Sequence, residues 1–375
     1  NNITSLKRLG ISRNAIEGNL DFSNLTNLDN LSVSSNQITG LKIGISPNVF
    51  DGGYDTNGQY SRNYDFYNQY LNCVAVPQNT ITDWEASSYA TSYPNIVWGL
   101  DCGAYNNVPE NEIQALVDMY NNLDGANWTR NTNWNGDLAK ATINNPYNAT
   151  KWSGITTTIV DGGKHITTVS LSSNNLKGEL PESFGNLTKL TNLQISSNEI
   201  SGTLPSSIGN LIALETLSLN SNKIESLPVE MNGMLKLKTI YLQNNEIMGK
   251  VPDFTGITTL ETLYISSNKF QFGDFEDEFS SYKDNLTTFS YTSQAKVGTE
   301  ETIEVASSTN TTLEAIVSGT NNEYQWYQNN SPITDANSNT YQITDAISSD
   351  AGAYYCRVTN TVVTDLTIRT ETKTI

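Results

Sequence analysis

Apolar and polar residues alternate in short segments in the middle of the chain, and an asparagine follows each segment at a constant distance. The segments read VSLSSNNL, LQISSNEI, LSLNSNKI, IYLQNNEI and LYISSNKF between Val169 and Phe270. Their asparagines are 24, 24, 23 and 23 residues apart, at Asn174, Asn198, Asn222, Asn245 and Asn268. A repeat of this length predicts a stack of similar coils, because a single unit cannot bury its own apolar face.

Each repeat predicts a short parallel strand followed by a turn. The apolar pair of one repeat, Leu217 and Leu219, is expected to point inward, and Asn222 to hydrogen-bond the backbone of adjacent coils. The five asparagines are therefore assigned a structural role. The pattern resembles the leucine-rich repeat family, and the segments GELP, GTLP and GKVP resemble its subclass in plant receptors and bacterial surface proteins. The resemblance implies a parallel-β solenoid with short helical caps and 3-10 turns.

A shorter array with the same pattern is predicted for residues 1–72. Its segments LGISRNAI and LSVSSNQI carry Asn14 and Asn36. No amphipathic cap precedes these segments, so we expect further repeats before Asn1, because the open end of a solenoid exposes apolar surface.

Residues 73–108 are predicted to cap the first array at its C-terminal end. Cys73 and Cys102 enclose most of this segment, and we interpret them as a disulfide that closes a capping loop. Two reduced, buried thiols are the alternative, since cysteine content alone does not determine the redox compartment.

Residues 109–155 predict a helical, tryptophan-rich cap in front of the second array. Apolar residues at helical spacing run from Ile113 to Leu123, and Gly125 stops the helix. The tryptophans of this cap are Trp128, Trp134 and Trp152. The segment resembles the N-terminal cap of plant-type leucine-rich repeats without its paired cysteines, so packing of the tryptophans must hold it together.

The second array and its closing cap are predicted to span residues 156–295. Phe275, Phe279 and Tyr282 lie at helical spacing and are expected to form a closing turn over the last coil. We interpret the acidic residues of this segment as the solvated face of that turn; they are Asp274, Glu276, Asp277 and Glu278.

Residues 296–375 show short alternating strands instead of the repeat, in LEAIVSG, YQWY, TYQI and AGAYYCRV. They resemble an immunoglobulin-like sandwich, in which Trp326 matches the buried tryptophan and Tyr354 the tyrosine two residues before a cysteine. The resemblance places Ala315 opposite Cys356, so the usual inter-sheet disulfide cannot form and the thiol is expected to be buried and inert. The predicted fold class is mainly β: a leucine-rich-repeat parallel-β solenoid followed by an antiparallel immunoglobulin-like β-sandwich.

The negative net charge of the chain argues against some classes of binding partner. The chain of 375 residues has 39 acidic and 21 basic side chains, and its formal net charge is -18. A chain this acidic and without a basic run is repelled by phosphate backbones and anionic lipids, which argues against nucleic-acid and membrane-surface partners. No run of about 18 apolar residues occurs, so the sequence predicts no membrane span.

The sequence offers no catalytic constellation, and we expect neither an enzyme nor a cofactor or bound metal. His165 is the only histidine, so a common zinc site lacks its second imidazole. Ser170 and Ser172 are repeat positions, without the activating base that a nucleophile needs. The segment Asp51–Asp65 contains DTNG, which resembles part of a calcium loop, but the expected bidentate Glu is missing and position 64 holds Tyr. Calcium binding there is left open.

The concave side of the repeat sheet is the first candidate binding surface. Residues that flank the inward apolar pairs face outward there and are small, neutral and hydrogen-bonding. Rigid aromatics among short polar groups are typical of binding surfaces, although exposed strand positions also favour Ser and Thr without any function. The candidates on this side are Gln194, Asn220, Tyr241, Gln243 and Tyr264.

The segment Phe50–Tyr70 is the second candidate surface, because it is rich in Tyr, Asn and Gly and interrupts the repeat. Long irregular loops in compact arrays are often functional. The alternative is that Tyr64, Phe66 and Tyr70 alternate in order to fill the end of the first array. The binding candidates are Tyr54, Tyr60 and Tyr67.

These patterns favour a non-enzymatic, extracellular recognition or adhesion protein, secreted or held at the outer surface of a bacterium. It would bind a protein or a saccharide through the concave repeat side and the tyrosine-rich insertion. The alternatives are an accessory subunit of an outer-membrane transport or secretion complex, a purely structural stalk, and an ice binder that uses the threonine row of the repeats.

Overall fold

The chain divides into two compact units. The first comprises Asn1–Glu110, Thr142–Lys151 and Thr157–His165, and the second comprises Asn111–Ala141, Trp152–Thr156 and Ile166–Ile375. The computed structural model describes residues 6, 8–11, 17–22, 24–25, 30–33, 37–43, 64–65, 73–75, 97–99, 108–134, 152–161 and 163–375.

The described strands between residues 8 and 99 all pair in parallel. The strands are β1 (Arg8–Gly10), β2 (Glu17–Phe22), β3 (Asn30–Ser32), β4 (Gln37–Ile43), β5 (Tyr64–Asp65), β6 (Cys73–Ala75) and β7 (Val97–Gly99). One sheet has the order β1-β3-β5, and another the order β2-β4-β6-β7. Leu31 and Leu41, one from each sheet, are fully buried. The sheet that contains β2 and β4 continues through β6 and β7, which belong to the segment 73–108 that the sequence predicts to be a cap.

A helix and a tryptophan cluster precede the second repeat array. Helix α1 (Glu110–Asn122) buries one face, and a 3-10 turn at Gly125–Asn127 follows it. The rings of Trp128 and Trp134 lie 4.8 Å apart, and those of Trp134 and Trp152 lie 4.9 Å apart. Large buried aromatic surfaces of this kind stabilise a small cap by several kcal/mol, about 1 kcal/mol of it per ring pair.

The second array forms a long sheet and a separate short parallel sheet. Its strands are β8 (Ile155–Val160), β9 (Gly163–Ser170), β10 (Lys177–Gly178), β11 (Asn192–Gln194), β12 (Glu199–Thr203), β13 (Thr216–Ser218), β14 (Lys223–Ser226), β15 (Thr239–Tyr241), β16 (Thr262–Tyr264) and β17 (Thr288–Ser290). The long sheet has the order β8-β9-β11-β13-β15-β16-β17, and the short sheet has the order β10-β12-β14. Strands β9 to β17 of the long sheet run parallel.

Prolines end the strands of the short sheet and begin 3-10 turns. A proline fixes its own φ and has no N–H group to donate to a strand neighbour. The turns are Glu182–Asn186 after Pro181, Ser206–Asn210 after Pro205 and Val229–Gly233 after Pro228. Each turn buries one apolar side chain in the core between the sheets; these are Phe184, Ile208 and Met231.

The array has one coil more than the sequence predicted. Phe275, Phe279 and Tyr282 are buried as expected, and helix α2 (Phe279–Asn285) carries two of them. The helix does not close the stack, because β17 follows and pairs in parallel with β16 through Phe289 and Leu263.

The C-terminal domain consists of two β-sheets. Its strands are β18 (Glu301–Thr302), β19 (Thr311–Glu314), β20 (Asn322–Gln328), β21 (Ser331–Pro332), β22 (Thr340–Ile343), β23 (Ala353–Asn360), β24 (Ile368–Arg369) and β25 (Lys373–Thr374). The larger sheet has the order β18-β25-β23-β20-β21, with β24 also on β23, and the smaller sheet pairs β19 with β22. All pairs are antiparallel except β18 with β25. The mainly β fold class with parallel repeat sheets is thus confirmed.

Candidate functional site: the outward face of the repeat sheet

In β11, β13, β15 and β16 of the long sheet the middle residue is buried and the residues on either side of it are half-buried. In β13, Leu217 is fully buried, whereas Thr216 and Ser218 are half-buried. Successive side chains of a strand point to opposite faces, so the half-buried residues form one outward surface, which we call the repeat face. Its rows are Thr168, Asn192, Thr216, Thr239, Thr262 and Thr288; Ser170, Gln194, Ser218, Tyr241, Tyr264 and Ser290; and Ser172, Ser196, Asn220, Gln243 and Ser266.

Backbone pairing holds the rows in register from strand to strand. Gln194 pairs with Ser170 on one side and with Ser218 on the other, and Tyr241 pairs with Tyr264. Neighbouring strands lie about 4.8 Å apart, which determines the spacing between side chains along each row. A ligand would therefore meet side chains whose positions the sheet has already ordered.

Tyr241 and Tyr264 form an aromatic pair toward one end of the repeat face. Their ring centroids are 5.3 Å apart and the ring planes are tilted by 41°. Both side chains are half-buried, so part of each ring is open to a ligand. An aromatic pair with restricted rotamers offers a large contact area at a low cost in conformational entropy.

Hydrogen bonds between neighbouring coils and within one coil order the polar residues of the repeat face. The Ser196 hydroxyl donates to the Ser172 hydroxyl at 3.0 Å, and the Ser218 hydroxyl donates to Oδ1 of Asn220 at 3.1 Å. Two amide oxygens behave differently. Asn192 Oδ1 and Gln243 Oε1 are shielded from solvent and have no donor among the described residues. The face therefore keeps hydrogen-bonding capacity that the fold does not use.

The repeat asparagines connect adjacent coils beneath the repeat face. Nδ2 of Asn222 donates to the carbonyls of Ile195 and Leu219 at 3.0 and 2.9 Å, and its Oδ1 accepts from the amide of Ile200 at 3.0 Å. Equivalent contacts are made by Asn198, Asn245 and Asn268. Oδ1 of Asn174 instead accepts from the amide of Arg130 at 2.6 Å, in the tryptophan-rich cap.

Gln294 takes the place of the asparagine in the last coil, and the sequence reading missed it. Its Oε1 accepts from the amides of Asn268 and Phe270, both at 3.2 Å, and its Nε2 donates to the carbonyl of Tyr291 at 2.7 Å. The residue before Gln294 marks it as the equivalent of the repeat asparagines. Ser293 has a left-handed φ of 63°, and the residue before each of the earlier asparagines has the same conformation; they are Ser173, Ser197, Ser221, Asn244 and Ser267.

Ion pairs between coils leave the repeat face itself without charge. They join Glu199 to Lys223 at 2.8 Å, Glu215 to Lys238 at 2.7 Å and Glu246 to Lys269 at 2.8 Å. The hydrogen bond from Lys223 lowers the pKa of the Glu199 carboxyl. Such exposed pairs contribute little to stability, because solvent screens them and holding two long side chains together costs entropy.

The junction between the last coil and the C-terminal domain contains a buried carboxylate. Glu276 is only 8% exposed, so its assignment to a solvated face was wrong. Its oxygens accept hydrogen bonds from the amide of Thr320 at 2.8 Å and from Nδ2 of Asn321 and Asn360 at 2.7 and 3.0 Å. Burial acts to raise the pKa of Glu276, but these hydrogen bonds outweigh it and hold the pKa at about 2.

Gly273 brings the two backbones of this junction together. Its amide donates to the carbonyl of Ser318 at 3.2 Å. A Cβ at position 273 would lie 2.9 Å from the amide nitrogen of Gly319, which is closer than packed side chains allow. Only glycine fits here, so the approach of the C-terminal domain to the last coil is specific.

The core of the C-terminal domain contains the residues that the sequence singled out. Trp326 and Tyr354 are each 1% exposed, and the Tyr354 hydroxyl donates to the carbonyl of Asp350 at 2.7 Å. Burial raises the pKa of Tyr354 to about 12. Cys356 is free and fully buried, and burial raises the pKa of its thiol to about 11.

Several sequence-based candidates fall outside the described residues. They are Tyr54, Tyr60, Tyr67, Cys102 and most of the Asp51–Asp65 segment. The structure describes the backbone of Cys73 in β6, so the disulfide stays a prediction and the question of calcium near Asp51–Asp65 stays open. Within the described part of the chain, no three His, Cys, Asp or Glu side chains come together as metal ligands. No described helix combines the length and apolarity of a membrane span.

Comparisons with known proteins give one family match and several similar solved structures. A family model described as Leucine rich repeat matches residues 164–224, 188–247 and 212–270. A search of curated proteins finds no match. Among solved structures, the PEPR1-AtPEP1 structure is 24% identical, with a TM-score of 0.42, and the alignment covers 52% of this chain and 26% of that one.

Two receptor ectodomains from Arabidopsis thaliana are also similar. For the LRR ectodomain of the receptor kinase SOBIR1 the identity is 19% and the TM-score 0.40, with 51% of this chain and 96% of that chain covered. For the BIR2 ectodomain the identity is 20% and the TM-score 0.35, and the alignment covers 44% of this chain and 83% of that chain. The family match and the parallel coils agree, and residues 164–270 of this chain are leucine-rich repeats.

Proposed function

We propose that this chain is a non-enzymatic recognition protein that binds an extended segment of a partner protein on its repeat face. The observation that carries the proposal is the ordered row of neutral, hydrogen-bonding side chains that contains the Tyr241–Tyr264 pair toward one end. Because the sheet has already ordered these groups, binding loses little conformational entropy.

The chemistry of the repeat face suits a peptide backbone. Gln194, Asn220 and Gln243 supply amide groups that pair with backbone N–H and C=O groups. The unused acceptors of Asn192 and Gln243 are available to donors of a ligand after small rotations of the side chains. Tyr241 and Tyr264 then contribute most of the apolar contact area.

We further propose that the C-terminal domain is immunoglobulin-like. Support comes from the separation of β19 and β22 from β20, β23 and β24 into two sheets, which matches the strand arrangement of that fold. The buried Trp326 and the hydrogen bond from Tyr354 to Asp350 are two further features of it. In this proposal the domain spaces the repeats from their anchor at a cell surface, and the outer surface of a bacterium is the location we favour.

The test is selection of peptides from a random displayed library on the full chain, followed by affinity measurement with purified variants. We expect the selected peptides to lose about tenfold or more in affinity when Tyr241→Ala and Tyr264→Ala are combined. The matched control combines Thr168→Ala and Ser170→Ala, which change the opposite end of the same face. Equal affinity of both double variants would exclude the aromatic pair as the binding site, and a structural stalk would select no peptide at all.

A further inference from the structure

The larger sheet of the C-terminal domain carries two arginines side by side. Arg357 on β23 is the register partner of Arg369 on β24. The guanidinium carbon of Arg369 lies 3.8 Å from the ring centroid of Tyr355, and that of Arg357 lies 4.8 Å from the ring centroid of Tyr327. The two tyrosine rings stack on each other, 5.0 Å apart and tilted by 3°. We call these four residues the arginine–tyrosine cluster.

The charges of this cluster are not balanced within the domain. Residues 298–375 contain ten acidic side chains and three basic ones, which are Arg357, Arg369 and Lys373. Lys373 pairs with Glu301 at 2.7 Å. Neither arginine forms a salt bridge with any of the described residues, and Glu371, two residues after Arg369, pairs with Lys296 at 3.0 Å. The unpaired positive charge of an acidic domain is therefore gathered on one sheet face.

This arrangement works against the stability of the sheet. Like charges directly opposite each other on neighbouring strands are destabilising, and Arg357 and Arg369 occupy such positions. Stacking on tyrosine holds the guanidinium groups without neutralising them. The Nε atom of Arg369 is even shielded from solvent without an acceptor among the described residues. Stacking therefore offsets part of the repulsion, but both positive charges lack a carboxylate partner among the described residues.

We propose that the arginine–tyrosine cluster is a docking surface for an acidic segment of a partner protein. Arg357 is exposed, and its stacked guanidinium group keeps an outer N–H edge that can bind a carboxylate through two parallel hydrogen bonds. Arg369 makes one long hydrogen bond, from Nη2 to Oγ1 of Thr372 at 3.4 Å, and has further N–H donors. Two guanidinium groups on adjacent strands suit two neighbouring carboxylates. An Asp- or Glu-rich segment that lies across β23 and β24 supplies this complementary charge.

The tyrosines favour a protein ligand over an anionic saccharide. Sugars bind aromatic residues by stacking on the ring face. Here Tyr327 is contacted by Tyr355 and Arg357, and Tyr355 is contacted by Tyr327 and Arg369. Tyr355 is moreover only 3% exposed. The groups left for a ligand are therefore cationic N–H donors rather than aromatic faces.

Fluorescence anisotropy with a labelled oligoglutamate peptide and the full chain tests this surface. We expect saturable binding that weakens as salt is added, because exposed charge pairs are screened. The double variant Arg357→Gln/Arg369→Gln should bind at least about tenfold more weakly. The variant Arg357→Lys/Arg369→Lys keeps the charge but loses the paired geometry, so its affinity should fall between the two.

The controls separate the alternatives. Lys223→Gln removes one positive charge from the repeats and should leave the affinity unchanged, and far-UV circular dichroism should show that all variants are folded. No binding of the peptide, or equal binding by the double Gln variant, would overturn the proposal. Preference for an oligogalacturonate over the peptide, or a dimer in sedimentation that the Gln variant abolishes without peptide binding, would also refute it.

Discussion

Asn360 donates a hydrogen bond from Nδ2 to Oε1 of Glu276 at 3.0 Å and thereby joins the last repeat coil to the C-terminal domain. The two residues are 84 positions apart in the sequence. A buried carboxylate is costly unless hydrogen bonds satisfy it, and the amide of Thr320 and the side chain of Asn321 supply further donors. Repeats and C-terminal domain are thus connected by a specific polar contact and not only by a linker.

Glu276→Gln should destabilise this junction. The amide nitrogen of Gln would face N–H donors where the carboxylate oxygen now accepts. We expect the free energy of unfolding to fall by about 3 kcal/mol, measured by urea denaturation. Asp277→Asn is the matched control, because Asp277 is adjacent, 80% exposed and paired only with the exposed Lys250 among the described residues. A change of similar size in both variants would contradict the role of Glu276.

The same carboxylate should make stability depend on pH in the acid range. The pKa of Glu276 is about 2 in the folded chain against an ordinary value of 4.5, so the unfolded state binds its proton more tightly. Its contribution, about 3 kcal/mol, is complete above pH 4.5 and is lost as the pH falls through the range from 4.5 to about 2. The difference between wild type and Glu276→Gln in unfolding free energy should shrink over that range and stay constant above it.

Asn222→Ala should lower the free energy of unfolding by more than the small change in side-chain volume suggests. The substitution leaves the buried amide of Ile200 without its acceptor. It also removes one of the two asparagine donors to each of the carbonyls of Ile195 and Leu219, which keep Asn198 and Asn245 respectively. Each unsatisfied buried group costs about 1 to 3 kcal/mol, so we expect a loss of about 3 kcal/mol in chemical denaturation. Asn220→Ala, which changes the half-buried repeat face, should stay within about 1 kcal/mol of wild type. Equal losses would mean that the buried amide does not hold the coils together.

Tyr354→Phe should weaken the C-terminal domain by removing one hydrogen bond. The hydroxyl donates to the carbonyl of Asp350 at 2.7 Å, and its loss in the core should lower the unfolding free energy by about 1 to 2 kcal/mol. Tyr341→Phe is the control, since its ring stacks 6.0 Å from that of Tyr354 and its hydroxyl has no hydrogen bond to the described residues. Thermal unfolding of the two variants distinguishes hydrogen bonding from ring packing.

The thiol of Cys356 should be inert in the folded chain. It is fully buried and its pKa is raised to about 11, so very little reactive thiolate exists at neutral pH. Alkylation followed by peptide mapping should find Cys356 unmodified in the native protein and modified after denaturation. Modification of the native chain at the rate seen in denaturant would show that the domain opens locally.

Most of the repeat face was predictable from the sequence because repeats constrain near neighbours. The constant spacing of Asn198, Asn222 and Asn245 places equivalent residues side by side, so the outward rows follow from the alternation of apolar and polar positions. Gln294 escaped this reading because a glutamine, 26 residues after Asn268, departs from both the residue type and the period.

The sequence by itself determined the period, the inward and outward rows, and the change to alternating strands after the repeats, since each depends on contacts between residues close in the chain or one coil apart. Only the tertiary structure decided that Glu276 is buried, because its partner Asn360 belongs to another domain. It also decided that Arg357 and Arg369 face each other, because strand register across a sheet depends on how the whole domain packs.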